Sequence, residues 1–254
     1  MLDGVATAPT TTARAGEALL EVNNIEVIYD HVILVLKGVS LSVPRGGIVA
    51  ILGANGAGKT TTLSLFLGFL APSAGQVRVH GTDPAAHPEA ARRLLAYIPE
   101  NVALYEHLTA RENVAYLLAL AGQAPADAPI DASLAAAGLA ADAFDRRVGG
   151  FSKGMRQKVA IGLALARRVP VLLLDEPTSG LDPQATAEFN RLLGVLRGQG
   201  VAVLMVTHDL LGAADVADRI GFLDAGRLVE EVAATGADRF DVRTLHRRYG
   251  GQAA

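Results

Sequence analysis

The stretch Gly53-Ala54-Asn55-Gly56-Ala57-Gly58-Lys59-Thr60, directly behind the apolar run Ile48–Leu52, constrains this chain more than any other feature. An apolar strand, a glycine-rich turn and a Lys-Thr pair opening a helix predict a phosphate cradle. The glycines let successive backbone N–H groups turn inward around anionic oxygens. The helix that follows aims its positive N-terminal end at the same place. Lys59 is then placed to reach the β- and γ-phosphates, and the Thr60 hydroxyl to ligate Mg²⁺. Gly53 through Thr61 form the candidate phosphate-binding set. A glycine-rich turn that merely joins strand to helix is the alternative, and the strand–helix context of all eight positions argues against it.

Composition sets bounds on the rest. The 254 residues suit one large domain or a domain with a subdomain, and the 50% apolar content is enough to bury a substantial core. A formal charge of −3 gives no electrostatic case for a nucleic-acid partner. The sequence has no cysteine, which excludes disulfides and thiolate metal sites. The start lacks a basic segment followed by an apolar core, so no secretory signal is expected. No stretch approaches the ~20 apolar residues of a membrane span. If the chain works at a membrane, another polypeptide must cross it.

The coarse pattern is α/β. Residues 1–18 are read as a disordered tail. Strands are expected over 19–28, 34–43, 48–52, 75–80 and 94–99, with helices over 60–70 and 84–93. From about 109 to 168 the pattern turns helical, within a helical subdomain expected over about 101–168, with helices over 110–121, 132–137 and 152–168 and a Pro/Gly/Ala/Asp-rich linker over 122–129. Strands return at 169–175 and 201–206, around a helix at 183–197 with Phe189, Leu192, Leu193 and Leu196 at helical spacing. Residues 241–254 are read as a short tail that could hold one helix. A sheet core interrupted by a helical insertion is the expected architecture.

A second chemical element is Val171-Leu172-Leu173-Leu174-Asp175-Glu176. An apolar strand that ends in two carboxylates places them at the carboxyl edge of a parallel sheet, where open α/β proteins bind ligands. Asp175 is the expected Mg²⁺ holder and Glu176 the group that polarises an attacking water. A helix-capping turn is the plainer alternative. The phosphate loop favours the catalytic reading, and both elements are expected at one sheet edge if their strands are neighbours.

Further motifs carry a family resemblance. Phe151-Ser152-Lys153-Gly154-Met155-Arg156-Gln157 resembles the signature of ABC-type ATPases. The segment from Asp175 to Pro183 is similar to the family's Walker B strand end and D-loop, and Val206-Thr207-His208-Asp209 to its switch-histidine segment. Tyr29 lies where the family places an aromatic residue on adenine, although a tyrosine there is also a good strand residue. The resemblance spans nearly all of 19–232. It implies a P-loop NTPase core with a mixed sheet, an antiparallel β subdomain and a helical subdomain that bears the signature. It also implies ATP and Mg²⁺ as ligands, and two subunits in a head-to-tail sandwich, taken here as a homodimer. Membrane-spanning permease subunits are the implied partners, with the chain at the cytoplasmic face of the inner membrane. In that sandwich Ser152 and Gly154 would face the γ-phosphate held by the other subunit, though Ser152 also fits a plain helix N-cap. His208 would contact the γ-phosphate together with Glu176; a core histidine at a strand end is the alternative.

The chain departs from the family pattern at three positions. Glu100 stands where most members have a glutamine that contacts Mg²⁺; it keeps the oxygen donor and adds charge. Lys153 replaces the first glycine of the signature, and Met155 its glutamine. The segment 24–63 is similar to ATPases of branched-chain amino-acid importers. The region from Tyr97 onward looks more like ATPases of drug, antibiotic and sodium exporters and of copper-site maturation. An exporter-type transport ATPase is the expected function, with an importer ATPase or an ATP-sensing regulatory protein as alternatives.

Overall fold

A computed structural model describes residues 17–29, 32–124, 129–236 and 239–249. Its centre is a six-stranded sheet built from β3 (Ile48–Leu52), β5 (Leu95–Ile98), β6 (Val171–Asp175), β7 (Ala202–Thr207), β8 (Arg219–Asp224) and β9 (Arg227–Ala233). The order across it is β5-β6-β7-β3-β8-β9. All pairs are parallel except the β8–β9 hairpin. The strands β3, β6 and β7 read Ile-Val-Ala-Ile-Leu, Val-Leu-Leu-Leu-Asp and Ala-Val-Leu-Met-Val-Thr, as strands buried on both faces must.

Alternate residues along these strands feed two cores. Val49, Ile51, Val171, Leu173, Leu204 and Val206 face Leu63, Leu65 and Phe66 of α1 (Lys59–Phe66). The same core takes Leu20, Ile25, Val27, Leu36 and Val79 from a three-stranded antiparallel sheet. That sheet has β1 (Ala18–Tyr29) between β2 (Ile33–Pro44) and β4 (Ala74–Val79). The other face packs Ala50, Leu172, Leu174, Val203 and Met205 against α5 (Lys153–Arg167), α6 (Pro183–Gly198) and α7 (Leu210–Val216). A third core joins Val114 and Leu118 of α3 (Ala110–Leu120), Leu134 of α4 (Ile130–Ala136) and Val159 of α5. Helix α5 thus belongs to two cores at once. This ties the position of its N-terminus to the main sheet.

Several expectations change. Strands β3 and β6 are not neighbours: β7 lies between them and pairs with both. Their carboxyl ends still share one edge, because all three strands run in parallel. Helix α1 ends at Phe66, not near 70, where the chain turns through Gly68. Helix α2 (Pro88–Arg93) starts four residues later than expected, since Asp83 accepts the N–H groups of Ala85 and Ala86 in a turn of its own. Helix α7 and the β8–β9 hairpin were not anticipated. The hairpin turns on Ala225 and Gly226, both at positive φ, without the Asn-Gly or Asp-Gly pair that usually announces such a turn.

The terminal expectations fall partly outside the described residues, which omit 1–16 and 250–254. Ala18, expected in the tail, is the first residue of β1. Residues 242–249 form helix α8 (Val242–Tyr249), capped by Asp241 and docked through Leu245 and Phe240, so this stretch is not a loose tail. The 122–129 linker lies half outside the described residues. Among those described, no helix is long and apolar enough to cross a membrane.

Phe66 is fully buried between α1 and the sheet. Phe66→Ala should lower unfolding free energy by about 3–5 kcal/mol in urea denaturation, the cost of a large unfilled aromatic site. A loss below about 1 kcal/mol would show that α1 is not packed as described.

Candidate active site

The loop between β3 and α1 is shaped by what surrounds it. A Cβ on Gly53 would stand 2.5 Å from the Leu223 carbonyl oxygen, so only glycine fits against β8 there. Gly58, the N-cap of α1, has φ 107°, and a Cβ on it would lie 2.6 Å from Leu36 Cδ2. Gly58 brings no side-chain cap, so the first N–H groups of α1 are left for an incoming acceptor. Asn55 and Gly56 are exposed, and nothing stands within 4 Å of where a Gly56 Cβ would be. Thr60 is exposed on the first turn, with Thr61 half-buried beside it.

Lys59 is only 7% exposed. Its Nζ donates to the Gly53 carbonyl at 2.6 Å and lies 3.3 Å from Glu176 Oε1. A buried cation needs such partners. Glu176 follows β6 at φ 45°, and its N–H donates to Val206 O of β7 at 2.9 Å. Its Oε2 accepts from the Thr207 hydroxyl at 3.0 Å and the His208 N–H at 3.2 Å, with His208 Nδ1 at 2.9 Å. The middle strand therefore orients the carboxylate of its neighbour. Burial pushes the Glu176 carboxyl up, but the hydrogen bonds from His208 and Thr207 and the Lys59 charge outweigh it, and the group stays below the usual carboxylate range. Its contribution to stability is present above the ordinary value of 4.5 and is lost as pH falls through the lowered one. The His208 ring itself is 67% exposed, open to a ligand beyond the edge.

Asp175 is shifted the other way. Burial raises it and the negative charges of Glu176 and Glu100 add to the rise, against the Tyr97 hydrogen bond and Lys59. The Tyr97 hydroxyl donates to Asp175 Oδ2 at 3.2 Å, and burial pushes its own pKa up to about 12. A half-buried carboxylate held up by like charges is where a hard cation fits, because the cation would reverse the shift. Asp175, Glu100 and the exposed Thr60 hydroxyl supply only oxygen donors, the set that suits Mg²⁺. Among the described residues no cluster of three His, Asp or Glu donors could hold a metal by itself. A cation here would need further oxygens, such as those of a phosphate.

Glu100 Oε1 accepts from the Ser179 hydroxyl at 3.1 Å and lies 3.8 Å from Lys153 Nζ. Ser152 caps α5, its Oγ accepting from Met155 N at 3.3 Å. Gly154 faces Leu181 and Ala185 of the same chain, 3.5 and 3.7 Å from where its Cβ would stand. That contact is intramolecular and would tolerate a methyl group. Tyr29 is 39% exposed at the end of β1, two residues beyond Val27, whose β2 partner Leu36 packs on Gly58. Four contributors escaped the sequence reading: Thr207, Tyr97, Ser179 and Gln157. The Gln157 side-chain amide donates to Pro177 O and binds α5 to the segment after Glu176. Spacing along the chain announces none of these long-range partners.

The sequence model of the family described as "ABC transporter" matches residues 36–179. The chain belongs to that family. Within it, the ATP-binding domain is the part that hydrolyses ATP. The methionine import ATP-binding protein MetN of Caulobacter vibrioides is 41% identical over 78% of this chain and 61% of its own length. The chain thus spans less than two thirds of that relative. The daunorubicin resistance ATP-binding protein DrrA3 of Streptomyces coeruleorubidus is 38% identical over 82% of this chain and 68% of the relative. Among solved structures, an ATP binding subunit of an ABC transporter superposes with TM-score 0.75 at 32% identity, covering 93% of this chain and 95% of that one. The dimeric cassette MJ0796 in a post-hydrolysis state with ADP and Pi gives TM-score 0.71 at 27% identity, covering 85% and 99%.

Two substitutions probe the site's construction. Gly58→Ala places a β-carbon in a left-handed, crowded position and should cost about 1–3 kcal/mol in chemical denaturation. Asp175→Asn, without nucleotide, should raise the melting temperature at pH 7. The gain should shrink as pH falls towards 3.8, because a raised carboxyl penalises the fold only once it ionises. Equal gains at both pH values would contradict the crowding of charge described above.

Proposed function

We propose that this chain is the ATP-hydrolysing subunit of an exporter-type ABC transporter, acting as a homodimer beneath membrane-spanning permease subunits at the cytoplasmic face of the membrane. The convergence of Lys59, Glu176 and His208 at one sheet edge carries the reading. The name of the daunorubicin resistance relative supports the export direction, as does the run from Phe151 to Lys158, while the methionine import relative favours the opposite one. The dimeric MJ0796 cassette with ADP and Pi supports the sandwich.

The chemistry follows from the contacts. A triphosphate entering the loop takes Lys59 away from the Gly53 carbonyl and from Glu176. That exchange frees Glu176 Oε1, while Thr207 and the His208 N–H keep Oε2 in place. Glu176, ionised at neutral pH, then accepts a hydrogen bond from water and aims it for in-line attack on the γ-phosphorus; the bond from phosphorus to the β–γ bridging oxygen breaks, ADP leaves, and the water's proton passes to Glu176. The exposed His208 ring reaches the γ-phosphate from the same edge, and the N–H groups at the start of α1 absorb charge on its oxygens. Thr60, Asp175 and Glu100 would hold Mg²⁺, which when bound neutralises charge on the phosphates. Tyr29 stacks on the adenine. Ser152 and Gly154 complete the partner's site across the dimer. Loss of the γ-phosphate removes the bridge between subunits, and the opening drives the permease.

Glu176→Gln should lower the ATPase rate by about 10²- to 10⁴-fold, the usual worth of a positioned base. The same protein should run as an ATP-dependent dimer on size exclusion. Lys59→Ala should lose ATP binding in an equilibrium titration. A Glu176→Gln chain that hydrolyses ATP at the wild-type rate would sink the proposal.

A further inference from the structure

Tyr97 is a half-buried titratable group at the catalytic edge that the proposed chemistry leaves idle. It lies in β5 opposite Leu173 of β6, and Ile98 lies opposite Leu174. Side chains alternate along a strand, so Tyr97 and Asp175 stand on the same face of the sheet, one strand apart. That face carries α1, and the Tyr97 ring packs against the core that holds Leu63, Phe66 and Leu173. Its hydroxyl donates to Asp175 Oδ2 at 3.2 Å. Among the described residues no other group donates a hydrogen bond to this carboxylate, on which Lys59 acts through its charge alone. The bond therefore divides the two carboxylate oxygens. Oδ2 is tied to a ring in the neighbouring strand, and Oδ1 is the oxygen left for a cation.

Resting on the ATPase reading, in which Asp175 helps to hold the cation, we propose that Tyr97 is a positioning residue that presents one oxygen of Asp175 and so makes the site prefer Mg²⁺ to Ca²⁺. The basis is a difference between the two ions. Mg²⁺ needs near-ideal octahedral geometry, whereas Ca²⁺ accepts about 6–8 oxygens in loose arrangements and takes a carboxylate through one oxygen or both. A carboxylate fixed by its second oxygen suits the first ion. A carboxylate free to turn suits the second, because both oxygens become available to it. The ring supplies the rigidity, since packing on the core leaves the hydroxyl little room to follow a turning carboxylate. A partner of this kind tunes the ion without touching it, by orienting the group that does.

The test uses the full chain with Tyr97→Phe, which removes the hydroxyl and keeps the ring, and Tyr97→Leu, which removes both. Affinity for a fluorescent ATP analogue is titrated against Mg²⁺, against Ca²⁺ and in EDTA, and folding is followed by thermal melting. In the wild type Mg²⁺ should tighten nucleotide binding at a lower concentration than Ca²⁺. Tyr97→Phe should raise the half-saturating Mg²⁺ concentration about tenfold, the lower end of what such orienting partners are worth. The Ca²⁺ midpoint should move less than about twofold, because that ion tolerates a carboxylate in either arrangement. Affinity in EDTA should match the wild type. Tyr97→Leu should show the same split between the cations at a lower melting temperature, which separates the hydroxyl from the packing of the ring. Equal shifts for both cations overturn the proposal, and so does a Tyr97→Phe chain with an unchanged Mg²⁺ midpoint or with an equal loss in EDTA. If the wild type binds MgATP without turnover, the ATPase reading fails alone and the cation titrations still decide the role of Tyr97. A wild type that binds no nucleotide overturns both.

Discussion

One ammonium group joins the two halves of the site. Lys59 is the first residue of α1 and Glu176 lies in the loop after β6, two segments far apart in the chain. A buried lysine is tolerable only with partners, and a buried carboxylate likewise. The Gly53 carbonyl and Glu176 satisfy the cation, while Thr207 and His208 satisfy the remaining carboxylate oxygen. Lys59 and Glu176 share one contact through Oε1, while Oε2 has its own donors. A ligand that offers Lys59 a stronger anion therefore acts on Glu176 as well.

This coupling needs the sheet in its observed order. Placing β7 between β3 and β6 puts Thr207 and His208 between the phosphate loop and the acidic pair. With β3 directly beside β6, the two chemical loops would touch without the strand that orients Glu176. The order also explains the role of α5, which packs on the sheet at Ile161 and Ala164 and on the helical cluster at Val159. Its N-terminal part is tied by Gln157 and Lys153 to the segments that follow β6 and β5, so the helical cluster and the carboxyl edge of the sheet meet through one helix.

Much of this was legible before the fold. The phosphate loop, the apolar strands β3, β6 and β7, the acidic pair and the stripe on α6 all announce themselves through local pattern. Local pattern failed where the information is relational. Nothing in Tyr97 marks it as the partner of Asp175, and nothing in Thr207 marks it as a donor to Glu176. The β8–β9 hairpin was missed because Ala225 at positive φ is held by its surroundings and not by its own preference. Asp83 hid the true start of α2 by forming a turn that composition alone reads as helix. The contacts of Gly154 with Leu181 and Ala185 of its own chain were likewise invisible in local pattern.

The backbone at Glu176 bends through φ 45°, a conformation that glycine or asparagine adopts with less strain. Such a residue would relax the bend, but it would also leave the buried Lys59 ammonium without its carboxylate, so the strained backbone is kept in place by the cation it serves.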